Sequence, residues 1–172
     1  MRIFFLPTGW TLLLCFAAWM VINLSVVIIC LFLPDKVLNP RAFFFRSHPF
    51  ERDGQNYENV FKVKRWKHLL PDGGGLWKKR GYKKRHLEDI SEDNLERFLL
   101  ESCRAELTHW LVISFFWVFG FFLPASATGL MLIIALLGNL PCIIAQRYNR
   151  PRFLRLLERT HSRQNAGNAI VS

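Results

Sequence analysis

A run of apolar residues at positions 9–33 constrains this chain more than any other feature. It carries no charged side chain, and at about 25 residues it is long enough for a helix to cross the hydrocarbon core of a bilayer. Arg2 precedes the run, and a basic residue also precedes the apolar region of a secretory signal peptide. However, the run is longer than the apolar region of a signal and lacks a small-x-small cleavage motif. We therefore predict a retained transmembrane helix that ends at Pro34.

Two later apolar runs predict a membrane hairpin. A helix is expected over residues 94–123, because Asp93 is a suitable N-cap and no proline occurs before Pro124. The second half of this helix is the next transmembrane span. Residues 130–146 form the third span, in which the Asn139–Pro141 segment is expected to kink the helix or to turn a polar side chain inward.

The charge distribution favours a membrane protein with basic cytoplasmic segments. The chain is 51% hydrophobic, yet its formal net charge is +10, a combination that suits apolar spans joined by basic loops. Segment 35–107 carries 16 Lys or Arg against 12 Asp or Glu, and the tail from residue 147 carries 6 against 1. The turn at 124–129 carries no charge. Both basic segments should be cytoplasmic, with the N-terminus and the turn outside.

The predicted fold class is therefore an all-α integral membrane protein, multi-pass in the cell membrane, with about three transmembrane helices. Residues 1–172 are expected to form a single membrane domain. A basic cytoplasmic loop subdomain at 35–93 lies between the first and second spans, and a cytoplasmic tail occupies 147–172. The basic charge suits membrane lipid or a phosphate-bearing substrate rather than nucleic acid, because acidic residues interrupt it and apolar spans flank it.

Two parts of the loop have a recognisable local pattern. Apolar and basic residues alternate at the start of segment 61–68, which predicts a short strand or extended piece. Segment 77–86 is the densest basic run. It is either a solvated loop held near anionic lipid or a docking surface for a phosphorylated acyl carrier, and these two interpretations are compatible.

The candidate chemistry centres on Glu106 and His109, which are three residues apart and therefore share one face of a helix. A carboxylate and an imidazole at the membrane boundary are costly without a partner or a function. In the first hypothesis, His109 is the general base of an acyl transfer to a hydroxyl, and Glu106 orients its ring and stabilises the imidazolium. His68 and His86 are expected at the same level as this pair.

Basic and polar side chains near the cytoplasmic boundary are predicted to hold the phosphates of the donor and the developing negative charge. The residues predicted to bind substrate are Arg65, Trp66, Lys67, Asp72, Arg104, Arg147, Asn149, Arg150 and Arg152. No nucleophile stands out, so direct transfer is simpler than a covalent acyl-enzyme. The expected donor is acyl-CoA or an acyl-carrier protein, with no other cofactor and no resident metal.

Two alternatives remain open at this point. His68, His86, Glu106 and His109 together would suit a metal site, which would make the chain a metal-dependent lipid-modifying enzyme. Glu106 and His109 would otherwise serve only to fix the loop to the helices. The chain would then be a non-catalytic lipid-binding membrane protein. The H-x4-D motif of soluble-faced glycerolipid acyltransferases fails at both loop histidines, which are followed at the Asp position by Gly73 and Ser91.

A series of short motifs resembles the glycosyl-4,4'-diaponeurosporenoate acyltransferases in order and approximate spacing, over residues 34–157. The motifs are Pro34-Asp35-Lys36, Arg65-Trp66-Lys67-His68, Asp72-Gly73, Arg85-His86-Leu87, Glu101, Arg104-Ala105-Glu106-Leu107, His109-Trp110 and Gln146-Arg147-Tyr148-Asn149-Arg150-Pro151-Arg152. The resemblance implies a membrane enzyme similar to that of the last step of staphyloxanthin synthesis. It implies transfer of a fatty acyl group to the primary sugar hydroxyl of a glycosyl carotenoid, or of a related glycolipid.

Overall fold

The computed structural model describes residues 4–70 and 92–171, with side chains described as far as Ser162. Its α-helices are α1 (Thr8–Phe32), α2 (Gln55–Phe61), α3 (Val63–Trp66), α4 (Glu92–Ser114) and α5 (Ala125–Val171). Short 3-10 helices occupy Asp35–Val37, Pro49–Gly54, Lys67–Leu69 and Phe115–Phe121. The described residues contain no strand, so the predicted all-α fold class is confirmed for them.

The chain divides into two compact units, which we describe separately. The apolar unit comprises residues 4–33 and 106–143, and the polar unit comprises residues 34–70, 92–105 and 144–171. The single membrane domain expected from the sequence stays a prediction.

Among the described residues of the apolar unit, two small clusters of buried side chains lie beside a large exposed apolar surface. Val26 and Cys30 of α1 pack with Val112, while Ile113 of α4 packs with Ala135 of α5. Most of the remaining apolar side chains of α1 stay exposed. Two helical segments are long and apolar enough to cross a membrane, by length and composition: Thr8–Phe32 and Ala125–Ser162.

The helix boundaries of the apolar unit differ from those predicted. The α-helix ends at Ser114 rather than near residue 123, and the chain continues as the 3-10 helix Phe115–Phe121. This segment is rich in aromatic residues and contains Gly120, and both residue types lower helix propensity. Asp93, the predicted N-cap, lies inside α4.

Helix α5 is longer in both directions than the third span predicted at 130–146. It begins at Ala125, directly after Pro124, whose carbonyl accepts the N–H of Thr128 at 3.0 Å. It continues to Val171 through Pro141 and Pro151, so neither proline ends it. The predicted turn at 124–129 is therefore largely the first turns of the helix.

The strand predicted at 61–68 is wrong, because this segment belongs to α2, α3 and a 3-10 helix. Lys62 adopts a left-handed conformation (φ 50°) between the two α-helices, which sends the chain from one into the other. The indole of Trp66 closes the segment by donating to the Phe61 carbonyl at 2.7 Å. An alternation that covers only a few residues is too short to distinguish a strand from two short helices.

Candidate active site

In the apolar unit, His109 of α4 is held by a side chain of α5. Its Nδ1 atom lies 2.7 Å from Oδ1 of Asn139. The Asn139 side chain is buried, and its Nδ2 donates to the Ala135 carbonyl one turn earlier at 2.8 Å. Because Nδ2 is the donating end of the amide, Oδ1 is the accepting end, and it accepts a hydrogen bond from Nδ1–H of His109. The hydrogen-bond network therefore assigns the proton of neutral His109 to Nδ1, which leaves Nε2 as the basic nitrogen.

Glu106 is fully buried one turn before His109 on α4. The indole Nε1 of Trp110 points at its Oε1 from 3.4 Å, a long hydrogen bond. Glu106 and His109 both lie on α4 three residues apart, so they share one helix face as their spacing predicts. The structure adds Asn139 as the residue that orients the Nδ1 side of the imidazole, a role that the sequence predicted for Glu106.

The polar unit contains a buried carboxylate, Glu51, with several donors. Its Oε1 accepts from the Tyr57 hydroxyl at 2.6 Å and from Nη1 of Arg147 at 2.7 Å, and its Oε2 accepts from the backbone N–H of His48 at 2.9 Å. Burial by itself raises the pKa of Glu51. The hydrogen bonds from Tyr57, Arg147 and His48 and the positive charge of Arg147 outweigh that effect, so the pKa lies below its usual range.

Two of the arginines predicted to bind substrate bond to the protein's own backbone. Arg147 donates to the Phe44 carbonyl at 2.8 Å in addition to Glu51. Arg150 is almost completely buried, and it donates to the carbonyls of Phe45 at 2.7 Å and Ser102 at 3.1 Å. Both guanidinium groups therefore connect α5 with the loop at 44–51, and Arg150 also connects it with α4. A cavity of about 10 Å³ beside them has room for about one water molecule.

Three other predicted residues lie together around the ring of Tyr148. The Lys67 ammonium lies 5.1 Å from the ring centroid and donates to Oδ1 of Asn149 at 3.0 Å. The guanidinium carbon of Arg152 lies 3.7 Å from the same centroid. We call Lys67, Tyr148, Asn149 and Arg152 the Tyr148 cluster.

Charge and burial both act on Lys67 in this cluster. Burial lowers its pKa most, and the neighbouring positive charges of Arg152 and Lys64 lower it further, against a smaller opposing attraction from Glu58. Lys67 therefore carries its charge less readily than a lysine in water.

The remaining predicted residues of the polar unit are less concentrated. Arg104 pairs with Glu101 on its own helix and with Asp35, whose Oδ1 lies 2.9 Å from Nη2. Arg65 and His68 are exposed, and Trp66 is half-buried with its indole bonded to Phe61. His86 and Asp72 lie outside the described residues. The roles given to all these residues, and their convergence with His109, stay predictions.

The predicted metal ligands are distributed over both units and residue 86, so the alternative of a metal site made from them stays untested. Elsewhere in the polar unit, ligand atoms of Glu92, Glu96 and His161 lie within 4.8 Å of one another. Nε2 of His161 lies 2.5 Å from Oε1 of Glu92, and this direct contact accounts for their proximity without a metal.

Sequence reasoning did not identify Glu51, Tyr57 or Tyr148. Glu51 follows Pro49-Phe50 in an aromatic stretch, and no residue near it in the sequence indicates a partner for its carboxylate. Tyr148 lies inside the Gln146–Arg152 motif, and its spacing of four from Arg152 was the signal that would have placed both on one helix face.

Comparisons with known proteins agree with the resemblance seen in the motifs. A family model described as glycosyl-4,4'-diaponeurosporenoate acyltransferase matches residues 40–159. Curated proteins of that name from Staphylococcus aureus strains bovine RF122 / ET3-1 and USA300 are each 35% identical to this chain over 147 residues. The matches cover 86% of this chain and 88% of each relative. No solved structure matches the chain.

The matched region includes both the His109–Asn139 pair and the Tyr148 cluster. The predicted resemblance and the predicted acyltransferase class are confirmed by the family match and by the identity to curated relatives. The chain belongs to the glycosyl-4,4'-diaponeurosporenoate acyltransferase family.

Proposed function

We propose that the protein transfers a fatty acyl group from a thioester donor directly to a sugar hydroxyl of a glycosylated carotenoid. Membership of the family supports the reaction class and the acceptor. The observation that carries the mechanism is the contact between His109 and Asn139, because it orients an imidazole with its basic nitrogen at Nε2.

In this mechanism His109 acts as general base. Its Nε2 takes the proton of the acceptor hydroxyl as the hydroxyl oxygen attacks the carbonyl carbon of the thioester. The tetrahedral oxyanion then collapses, the C–S bond breaks, and the thiolate takes the proton from the imidazolium. Asn139 keeps Nδ1–H bonded throughout, and the buried carboxylate of Glu106 stabilises the imidazolium while it exists.

The acceptor is a long apolar molecule, so the reaction takes place at a membrane. We propose three spans, at α1, at the end of α4 with the following 3-10 helix, and at the first half of α5. The long apolar helices and the exposed apolar side chains of α1 support this arrangement. The excess of Lys and Arg in segment 35–107 and in the tail supports a cytoplasmic position for both.

The test is to express the full chain in membranes that contain a glycosylated carotenoid but no enzyme that acylates it. Mass spectrometry of the extracted pigments should detect the acyl ester with the wild-type protein. His109→Ala should lower the rate of ester formation by about 10²–10⁴-fold, the usual contribution of a general base. His161→Ala is the matched control, since it removes a histidine of the polar unit, and it should retain the wild-type rate.

Asn139 is a positioning residue in this proposal, so its variants need a second readout. Asn139→Ala should lower kcat and change its pH profile, because the Nδ1–H of His109 loses its acceptor. Asn139→Asp keeps an acceptor oxygen and should restore most of the rate. Ester formation at the wild-type rate in membrane-inserted His109→Ala protein contradicts the mechanism. Absence of ester with wild-type protein and every acyl thioester favours a lipid-binding protein instead.

A further inference from the structure

The Tyr148 cluster places two cations near one aromatic ring, and among the described residues neither cation forms an ion pair with a carboxylate. We propose that Lys67 and Arg152 form a subsite for the phosphate at the base of the donor's pantetheine arm, which is part of a pyrophosphate in acyl-CoA and a phosphodiester in an acyl-carrier protein. This inference rests on the proposed function, because that function requires an acyl thioester carried by such an arm. It goes further by assigning one of the donor's contacts to two particular residues.

The cluster is built on a rigid base. Tyr148 is 1% exposed, so its ring is a fixed surface rather than a mobile one. Arg152 stands four residues after Tyr148 on α5, and this spacing puts both side chains on the same helix face. Gly54 packs against the backbone of Tyr148 so closely that an added Cβ would lie 2.9 Å from the Tyr148 carbonyl oxygen. Lys67 reaches the ring from the 3-10 helix Lys67–Leu69 and is anchored by Asn149.

The charges in the cluster favour an anion. In the part of the chain that the structure describes, neither Lys67 nor Arg152 forms an ion pair with a carboxylate. The ring faces supply some cation–π attraction, but the two cations repel each other. Burial and the positive charges of Arg152 and Lys64 also lower the pKa of Lys67, against a smaller attraction from Glu58. An anion that contacts both cations offsets their mutual repulsion and compensates the partly buried charge of Lys67.

A phosphate suits this arrangement better than a carboxylate does. The guanidinium of Arg152 offers a planar fork of N–H donors, and the ammonium of Lys67 offers donors from a different direction. A phosphate group directs its non-bridging oxygens tetrahedrally, so it can accept from both groups, whereas a carboxylate presents its two oxygens in one plane. The neighbouring arginines at 147 and 150 are occupied by internal contacts, and the subsite does not draw on them.

The experiment measures binding by calorimetry to the full chain in nanodiscs of neutral lipid. The probes are 4'-phosphopantetheine and pantetheine, which differ only in the phosphate. Wild-type protein should bind 4'-phosphopantetheine more tightly than pantetheine. Lys67→Gln and Arg152→Gln should each weaken binding of the phosphorylated probe by about tenfold, as expected for loss of a charged hydrogen bond, and should not change binding of pantetheine.

Lys36→Gln and Arg159→Gln are the controls, because each removes one exposed positive charge of the polar unit away from the cluster. Both should bind the phosphorylated probe as wild type does. Lys67→Arg keeps the charge and should retain binding, so it tests the subsite even if Lys67→Gln unfolds. Equal binding of the two probes, or equal losses in the cluster and control variants, overturns the proposal.

A lipid headgroup phosphate has the same chemistry, so a second arm uses nanodiscs that contain phosphatidylglycerol. If the cluster variants weaken association with this lipid but leave binding of 4'-phosphopantetheine unchanged, the donor assignment is overturned. The binding readout requires no turnover. Variant-sensitive probe binding by a wild-type protein that makes no ester therefore supports the subsite and contradicts the proposed function. The opposite pair of results contradicts the subsite alone.

Discussion

The two units of this protein use polar side chains in opposite ways. In the apolar unit, several polar side chains, such as Thr11 and Asn23, donate to carbonyls of their own helix or its first turn. Against that background, His109 and Asn139 form a contact between side chains of two helices. In the polar unit, long-range polar contacts are common, and Arg147 and Arg150 bond to carbonyls about 100 residues away in the sequence.

The difference shows how a functional candidate should be identified in each unit. Among apolar helices, polar side chains are costly to bury. A polar contact between two of them therefore indicates a candidate functional site by itself. Among many basic residues, a positive charge alone does not identify a functional residue. The group that each side chain contacts distinguishes a structural residue from a candidate binding residue. Arg147 and Arg150 are engaged by the fold, whereas Lys67 and Arg152 share a ring and form no ion pair with a carboxylate among the described residues.

The largest effect that would sharpen this comparison is expected at Arg147. Arg147→Met leaves the Glu51 carboxylate buried without its cation, which should cost about 3–5 kcal/mol of unfolding free energy. Thermal unfolding of the full chain in detergent should show Tm falling by about 10 °C for a chain of this size.

Arg155→Met is the matched control, because it breaks an ion pair of the same helix with Asp53 in which both side chains are about half exposed. Such a pair contributes about 0–1 kcal/mol, so Tm should change little. Equal shifts in the two variants would mean that Arg147 is not a structural residue, and the contrast with Arg152 would then be lost.

The hydrogen-bond network around Glu51 also makes the stability of the protein depend on pH in a defined direction. The pKa of Glu51 is depressed in the folded protein, so its contribution to stability is full above the unfolded pKa of about 4.3. That contribution is lost as pH falls from there through the folded pKa. The Arg147→Met protein should therefore lose less stability on acidification than the wild type does.

Helix-forming apolar segments were the part of the fold that the sequence could predict. The 9–33 run became α1 because a continuous apolar segment of that length has few alternatives to a helix. The Glu106/His109 spacing and an inward-facing Asn139 were likewise predictable, since both depend only on helix periodicity and on the cost of burying a polar group.

Contacts between distant parts of the chain were not predictable. Glu51 and Arg147 are 96 residues apart, and nothing local to either residue names its partner. The left-handed conformations of Arg52, Asp53 and Lys62 were also not predictable, because arginine and lysine rarely adopt positive φ and even aspartate does so in only a minority of cases. The strand predicted at 61–68 failed for this reason.

A smaller effect is expected at Gly54, which packs against the backbone of Tyr148. Its φ of +85° is unfavourable for any residue with a Cβ, and the added carbon would meet the Tyr148 carbonyl oxygen at 2.9 Å. Gly54→Ala should therefore cost about 1–3 kcal/mol, measured as the loss of Tm in detergent. It should also weaken binding of 4'-phosphopantetheine, because Tyr148 carries the two cations.

Gly138→Ala is the control for this substitution, since Gly138 lies in α5 with nothing near an added Cβ. Alanine should be neutral or slightly stabilising there, because it has the higher helix propensity. Unchanged Tm and unchanged probe binding in Gly54→Ala would show that the cluster does not depend on this close approach.

The smallest effect is a pH dependence of phosphate binding, and it follows from the lowered pKa of Lys67. Arg152 stays charged at every accessible pH, whereas Lys67 loses its proton at a lower pH than an ordinary lysine, for which the pKa is about 10.4. Above pH 7 the phosphomonoester is mostly a dianion, since its second pKa is about 6, so Lys67 dominates the change that remains. Affinity for 4'-phosphopantetheine should be full at neutral pH and should fall by up to about tenfold as pH rises through the lowered pKa.

Two variants assign that fall in affinity to Lys67. In Arg152→Gln, one of the positive charges that lower the pKa of Lys67 is gone, so the fall in affinity should move to higher pH. Glu58, which raises this pKa, and Lys64, which lowers it, are unchanged. In Lys67→Arg, the charge persists and the fall should disappear, while pantetheine binding should be independent of pH in every variant. A fall in affinity that persists unchanged in Lys67→Arg would assign the titration to another group. The charge state of Lys67 would then not govern anion binding, and the distinction between the paired arginines and the Tyr148 cluster would be lost.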